Sequence, residues 1–303
     1  MAVDLAQPTR RKRRAAGSGP AGVVVVSPRS KPPIGRWLLT AAVLGWVGLM
    51  ILVPAGALLR AAFLPGPRAF WEAVTSADAL RAFGLTIGLA AVATVVNTVF
   101  GVAFAIVLVR RNFWGKSLAD GLVDLPFAVS PVIAGLMLVI LYGPSSWLGG
   151  WLGAQGFRVV YAWPGMVLAN LFVTLPFVVR EVVPVLREFG IDQEEVAHTL
   201  GAGRWTTFWR VTLPSIRWGL AYGVTLTIAR SLGEFGALLV VSGNILGRTQ
   251  TATLYVHDRM ESFAPEGSYA ASVVLAGTSF LLLLGMEAVR KRVAAREGRA
   301  DLA

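Results

Sequence analysis

Two side chains of opposite charge, Arg230 and Glu234, lie four residues apart within the apolar stretch 218–241. A charge at the centre of a bilayer costs roughly 2.5–3.5 kcal/mol on insertion scales, so such residues need a partner or a polar surrounding. If the stretch is one helix, both residues lie on one face and can form an ion pair that braces the packing. Alternatively, the guanidinium, a planar fork of donors suited to oxyanions, belongs to a path or gate for an anion.

In the second interpretation Glu234 holds Arg230 or a neighbouring helix, because an accessible carboxylate would repel an anion. Ser231 and the glycine backbone then face the path, and the two glycines permit close contact between helices. The predicted path or gate comprises Arg230, Ser231, Gly233, Glu234 and Gly236.

An enzyme active site is the competing function for charges at this depth. It would need a carboxylate pair, a Ser/His arrangement or a metal-binding set within the membrane. Asp120 and Asp124 are the other charged residues in or near the apolar stretches, and they form no recognisable set with Arg230 and Glu234. The chain has no cysteine and only two histidines, which excludes thiolate chemistry and Cys-ligated metals. We therefore expect a protein that is not an enzyme, with no catalytic residues, no cofactor and no metal.

The composition is that of a polytopic helical membrane protein. Of the 303 residues, 55% are hydrophobic and 15% are charged, with a mean hydropathy of +0.64; soluble domains have roughly 25% charged residues. The net charge of +11 would suggest nucleic acid for a soluble protein. In a membrane protein, however, Lys and Arg mark cytoplasmic loops and meet anionic lipid. We expect membrane lipid, and no nucleic acid, as the partner of this charge.

Six apolar segments predict an all-α membrane protein with six transmembrane helices. Their approximate bounds are 37–59, 82–109, 121–142, 160–179, 218–241 and 269–289. Arg180-Glu181 is predicted to end the fourth span, and Ser130-Pro131 to kink the third.

Three polar residues in or near these spans have ordinary structural explanations. Asn97 and Asn170, in the second and fourth spans, are expected to form hydrogen bonds between helices. Asp124, near the inner end of the third span, is expected to cap a helix end or to pair with a loop arginine.

The distribution of basic residues predicts the orientation of the chain. With the N-terminus inside, 21 of the 28 Lys and Arg residues fall in cytoplasmic segments and six in outer loops. Both termini are therefore predicted to be cytoplasmic. The predicted organisation is a basic, mostly disordered tail (1–36), a six-helix transmembrane domain (37–292) and a C-terminal tail (293–303). The first apolar run is too long for the apolar region of a signal peptide, so it is expected to be an uncleaved helix.

The longest internal cytoplasmic loop, 180–217, contains the sequence EEVAHTLGAGRWTTFWRVTLPSI over 194–216. A short helix broken at Gly201 and Gly203, followed by a second helix from Arg204, predicts a helix–turn–helix on the cytoplasmic face. Pro214 is predicted to end the second helix before the fifth span. Three aromatic residues are expected to anchor the loop to a partner protein or to the bilayer interface: Trp205, Phe208 and Trp209.

The same loop resembles the signature of permease subunits of binding-protein-dependent ABC importers: E-A-A, three residues, G, nine residues, I-x-L-P. Here it is Glu195-Val196-Ala197, Gly201 and Val211-Thr212-Leu213-Pro214, with Val196 and Val211 departing from the usual Ala and Ile. The resemblance implies the ABC type I importer permease fold, with a cytoplasmic coupling helix that docks on an ATPase subunit. The implied coupling residues are Glu194, Glu195, Ala197, Gly201, Arg204, Leu213 and Pro214.

Three further segments, 124–143, 229–256 and 269–276, resemble the sulfate/thiosulfate permease subunits, and the CysW type more than the CysT type. The resemblance implies an inner-membrane subunit that forms half of a translocation path for sulfate or thiosulfate. Its implied partners are cytoplasmic ABC ATPase subunits, a second permease subunit of the CysT type and an extracytoplasmic sulfate-binding protein.

Energy for transport must come from outside this chain. The sequence Gly115-Lys116-Ser117 matches only the end of a phosphate-binding loop, because Arg110 stands where such a loop needs glycine. ATP hydrolysis is therefore expected on a separate polypeptide. Two alternatives stay open: a permease for molybdate, tungstate or another oxyanion, and a channel or scaffold without ATP coupling, which leaves the loop at 194–216 unexplained.

Overall fold

The computed structural model describes residues 34–262 and 265–300, and the regular structure in these ranges is entirely helical. The helices, with one π-helical turn at Phe208–Thr212, are α1 Ile34–Phe63, α2 Pro67–Val74, α3 Ala77–Arg110, α4 Lys116–Ala128, α5 Pro131–Tyr142, α6 Trp147–Ala154, α7 Trp163–Phe189, α8 Asp192–Thr199, α9 Arg204–Thr207, α10 Leu213–Leu232, α11 Gly236–Val241, α12 Ala252–Glu261 and α13 Pro265–Ala300.

The chain divides into a first compact unit that ends at Val53, within α1, and a second that begins at Pro54. The predicted N-terminal tail lies outside the described residues, except that its last three residues begin α1. The predicted C-terminal tail is described as far as Ala300, where it continues α13.

Four helical segments are long and apolar enough to cross a membrane: Trp37–Phe63, Ala77–Arg110, Trp163–Phe189 and Gly267–Ala288. They match the first, second, fourth and sixth predicted spans. The bent pair formed by α4 and α5 makes a fifth if it is counted as one span. The count of six spans stays a prediction.

The third predicted span, 121–142, is two helices rather than one. Helices α4 and α5 meet at an angle of 111°, so the kink predicted at Ser130-Pro131 is confirmed and is much sharper than a kinked span implies. Pro131 lacks an N–H and forces Ser130 out of the helical conformation, to φ −58° and ψ 137°. The arms are about 20 Å and about 18 Å long, and each is shorter than the roughly 30 Å hydrocarbon core.

The prediction that the fourth span ends at Arg180-Glu181 is wrong, because α7 continues for nearly three more turns to Phe189. Arg180 is neutralised within the structure, because its guanidinium pairs with Asp120 at 2.7 Å and with Asp124 at 2.6 Å. A charge that has such partners ends the apolar pattern without ending the helix. Residues 180–189 of the predicted cytoplasmic loop therefore belong to α7.

The fifth predicted span, 218–241, is interrupted in the structure. Helix α10 ends at Leu232 and α11 begins at Gly236. At its other end the prediction that Pro214 terminates a helix is wrong, since the chain is helical from Arg204 through Pro214 to Leu232. The π-helical turn before α10 widens the backbone, and proline in the first turn of a helix needs no N–H partner.

Helix α7 lies at the centre of the second unit and contacts both main apolar clusters. One cluster joins α7 to α3 and α10 around Leu186, Leu108 and Ile216, and the other joins it to α3, α11 and α12 around Met166. Asn97 confirms its predicted role, because its amide donates to Thr174 Oγ1 at 2.8 Å and to the Leu171 carbonyl at 3.0 Å across the α3–α7 interface.

Asn170 does not show the predicted hydrogen bond. Its side chain is fully buried, and neither amide atom has a hydrogen-bond partner among the described residues.

Candidate functional site

A tight glycine turn shapes the loop between α7 and α10. Helix α8 ends with the N–H of Gly201 bonded to the His198 carbonyl at 3.0 Å and the N–H of Ala202 bonded to the Ala197 carbonyl at 2.9 Å. These are the two bonds of a Schellman motif, which needs a left-handed residue after the helix. Gly201 has φ +85°, a conformation that glycine adopts readily. The glycine four residues after Ala197 thus aims the chain from α8 into α9.

Glu194 ties this loop to the body of the protein. Its Oε1 accepts from Arg110 Nη2 at 3.0 Å and from Thr212 Oγ1 at 2.8 Å. Arg110, at the C-terminal end of α3, also donates to the Leu186 carbonyl of α7 at 3.3 Å. The charged pair is mostly buried, with 13% and 17% of the two side chains exposed. We call this set of contacts the Glu194 latch.

The outer surface of α8 carries an apolar hollow of about 400 Å³. Ala197, Val196, Leu200 and Val211 line it, and Leu200 is 84% exposed. We call it the α8 hollow. Apolar side chains at this exposure are typical of a surface that a partner covers.

The remaining predicted coupling residues divide between surface and core. Glu195, Arg204 and Pro214 are exposed. Leu213 instead packs against the apolar cluster shared by α3 and α7. The structure therefore brings Glu195 and Ala197 together on α8, but it places Leu213 at the joint with α10.

The three loop aromatics form one cluster against α3. Trp205 and Trp209 have ring centroids 5.6 Å apart, and Phe208 and Trp209 5.3 Å apart. With Val102 and Ile106 of α3 they line an apolar groove of about 550 Å³. Because these α3 residues lie inside a membrane-spanning segment, the position of the rings favours the bilayer over a partner protein.

The Arg230–Glu234 pair predicted from spacing is present, at 2.8 Å. Its two members differ in environment: the Glu234 side chain is fully buried, whereas 32% of the Arg230 side chain is exposed. Glu234 also accepts the Ala237 N–H at 2.8 Å and so stabilises the start of α11. The negative partner is enclosed and the positive partner is accessible, so the pair presents positive charge on its accessible side.

The other predicted path residues lie on both sides of the break between α10 and α11. Ser231 is 2% exposed, and its hydroxyl has no partner among the described residues. Gly233 is exposed. Gly236 packs closely on α5, since a Cβ there would lie 3.1 Å from Pro131 Cβ. Close helix contact is therefore present at Gly236, whereas the nearest atoms to a Cβ at Gly233 would be 3.8 Å away.

Several polar residues that surround the break between α10 and α11 were not predicted from the sequence. Gly233 opens into a groove of about 610 Å³ whose other polar lining residues are Thr253, His257, Ser272 and Ser279. We call it the break groove. Thr253 Oγ1 donates to the Glu234 carbonyl at 2.7 Å and so fixes α12 to the break. The only local signal was the seven-residue spacing of the two serines, which places them on one face of α13.

Over the described residues, these features define a helical, multi-pass membrane protein with interrupted helices and a structured loop that presents an apolar hollow. Irregular backbone at membrane depth is tolerated where it is buried in protein or lines a cavity, which is the arrangement found in transport proteins. Residues 97–295 match the family model described as "Binding-protein-dependent transport system inner membrane component". The chain belongs to this family.

Curated relatives cover almost the whole length of the chain. It is 46% identical over 257 residues to the sulfate transport system permease protein CysW of Synechocystis, a match that covers 85% of this chain and 93% of the relative. It is 41% identical over 267 residues to the CysW protein of Escherichia coli K12, covering 88% and 92%. It is 40% identical over 252 residues to the CysT protein of the same organism, covering 83% and 91%.

Solved structures share the fold. A chain of a bacterial ABC transporter involved in the import of the acidic polysaccharide alginate matches with a TM-score of 0.70 at 20% sequence identity. The match covers 86% of this chain and 97% of that one. The predicted ABC type I importer permease fold is therefore confirmed at the level of the fold.

Proposed function

We propose that this chain is the permease subunit of an ATP-driven importer for sulfate or thiosulfate, and that it forms half of the translocation path. The observation that carries the proposal is the loop between α7 and α10, in which a fixed glycine turn presents the α8 hollow and the Glu194 latch ties that hollow to α3 and α7. Support for sulfate as the substrate comes from the CysW and CysT relatives, which are 40–46% identical over most of the chain.

In this proposal the α8 hollow receives a cytoplasmic ATPase subunit. Glu195 and Arg204 are exposed and supply charge around it, while Val196 and Leu200 supply the apolar contact. Movement of the ATPase would then pass through the latch to the membrane helices, as in other rigid-body switching mechanisms. Both chain termini are placed on the same, cytoplasmic side by the distribution of basic residues.

The translocation path runs beside the break between α10 and α11. Arg230 and Gly233 face it, while the buried Glu234 and Ser231 and the close contact of Gly236 with α5 hold the break in shape. A second permease subunit of the CysT type supplies the other half, and an extracytoplasmic sulfate-binding protein delivers the anion. ATP hydrolysis belongs to the ATPase subunits.

The docking step is tested by co-purification of the ATPase with tagged permease from membranes. Leu200→Asp places a charge in the hollow. Because this side chain is 84% exposed, the substitution is expected to change the stability of the fold little. We expect this variant to lose the ATPase while membrane levels stay unchanged. The matched control is Leu246→Asp, at a side chain that is 58% exposed in the loop between α11 and α12. Equal retention of the ATPase by both variants would contradict docking at the hollow.

A further inference from the structure

The break groove combines polar donors with an accessible position. It is bounded by the end of α10, by α12 and by α13, and none of the eleven described residues that line it is Asp or Glu. Its volume of about 610 Å³ is within the range of small-molecule sites, roughly 300–1,000 Å³. Apolar side chains make up the rest of the wall, so each polar group there acts in a setting that strengthens hydrogen bonds.

The electrostatics of the break favour an anion in this groove. Glu234, which lies between the lining residues Gly233 and Phe235, is fully buried and paired with Arg230, and its main-chain carbonyl accepts the hydrogen bond of Thr253. The objection that this glutamate would repel an anion therefore does not apply to the groove. The Arg230 side chain, which is 32% exposed, carries the positive charge of the pair at the same break, although it does not line the groove.

Among the described residues that line the groove, His257 is the one with an ionisable ring. Its ring is held edge-to-face against Phe235, with centroids 5.1 Å apart, and Nε2 lies 3.4 Å from Glu261 Oε1. The Glu261 side chain is 70% exposed, which leaves it in high dielectric and weakens its hold on the ring. Imidazole can donate to an oxyanion from either nitrogen.

We propose that the break groove is an oxyanion-binding station, in which His257 and the hydroxyl of Ser272 or Ser279 donate to a tetrahedral anion such as sulfate. The serines lie seven residues apart on one side of α13, about 10 Å along the helix, so they mark two levels of the groove and one anion meets one of them at a time. This station rests on the proposed transport function and gives it a specific ligand set. It adds three residues that the pattern around Arg230 does not include.

Cysteine labelling tests the station directly, because the natural chain contains no cysteine. Ser272→Cys and Ser279→Cys are assembled with the second permease, the ATPase and the sulfate-binding protein in proteoliposomes, and labelled with an anionic methanethiosulfonate. Thr278→Cys is the matched control, since Thr278 is exposed on α13 and does not line the groove. We expect labelling at both serine positions to slow at least threefold during sulfate turnover with ATP, and the control to show no protection.

His257→Gln supplies a second readout. The amide keeps a hydrogen-bond donor but replaces the imidazole ring that lines the groove. We expect sulfate uptake to fall about tenfold with ATPase binding and membrane level unchanged. Labelling that is insensitive to sulfate, or protection that comes from assembly with the second permease alone, would overturn the station. Failure of the unmodified importer to carry sulfate would instead count against the transport function itself.

Discussion

The Glu194 latch predicts that one buried carboxylate couples the α8–α9 loop to the membrane helices. Glu194→Gln keeps the shape of the side chain and its contact with the Thr212 hydroxyl, but removes the charge that pairs with Arg110. Exposed ion pairs contribute about 0.2–1 kcal/mol, and breaking a fully buried pair costs about 3–5 kcal/mol. With 13% and 17% of the side chains exposed, this pair lies between these limits. We expect a loss of about 2 kcal/mol, or about 30-fold in the equilibrium between latched and released loop.

A double-mutant cycle measures this coupling. The free energy of unfolding by dodecyl sulfate titration is compared for Glu194→Gln, Arg110→Gln and the double variant. We expect a coupling energy of about 1–2 kcal/mol, because the second substitution removes a partner that is already lost. Glu195→Gln is the matched control: its side chain is exposed on the same helix, so the unfolding free energy is expected to stay within about 0.5 kcal/mol.

The latch also predicts a functional effect that a purely structural contact would not produce. In the assembled importer, Glu194→Gln is expected to retain ATP hydrolysis and to transport less sulfate per ATP, since the loop moves without carrying α3 and α7 with it. Additive single effects in the unfolding cycle, together with an unchanged ratio of sulfate to ATP, would refute the latch.

Three further predictions concern backbone turns and helix contacts. Gly201→Ala places a residue with a Cβ at φ +85°, and is expected to destabilise the loop by about 1 kcal/mol and to weaken co-purification of the ATPase. The control is Gly203→Ala, at φ −69°, which is expected to change neither quantity much. Gly135→Ala places a Cβ 2.7 Å from a backbone oxygen of α11, and is expected to lower the free energy of unfolding by about 1–3 kcal/mol in the dodecyl sulfate titration. The control is Gly121→Ala, whose Cβ would meet nothing within 4 Å. Arg180→Gln removes both ion pairs with the aspartates of α4, and is expected to expose the α4 backbone to faster hydrogen exchange while α10 is unaffected. Equal exchange of α4 in the variant and the wild type would contradict a role for Arg180 in fixing α4.

Local spacing predicted some features of this protein because local physics determines them. An arginine and a glutamate four residues apart can pair on one helical turn, and the pair is present at Arg230 and Glu234. The glycine after α8 is needed by the Schellman turn, so its position in the pattern corresponds to a backbone conformation. Long apolar runs likewise predicted the spans that form α1, α3, α7 and α13.

Features that depend on distant residues could not be predicted in the same way. The latch joins Arg110 to Glu194, 84 residues apart, and the pattern around either residue gives no sign of the other. The break after Leu232 contains no proline. It is stabilised by the bond from the Ala237 N–H to the Glu234 carboxylate and by the bond from the Thr253 hydroxyl of α12 to the Glu234 carbonyl. Pro214 does not end the helix, because it lies in the first turn of α10 after a π-helical turn, and the sequence carries no pattern that marks this π-helical turn.

Accumulation of sulfate in proteoliposomes measures directly whether an ATPase that docks on the α8 hollow drives transport. Radiolabelled sulfate uptake is measured for the complete importer, for the same mixture without ATPase subunits, and for the Leu200→Asp variant. Concentrative uptake is expected in the complete importer alone, with loss of uptake in the other two. Sulfate entry at the same rate without ATPase, or in the variant, would contradict it.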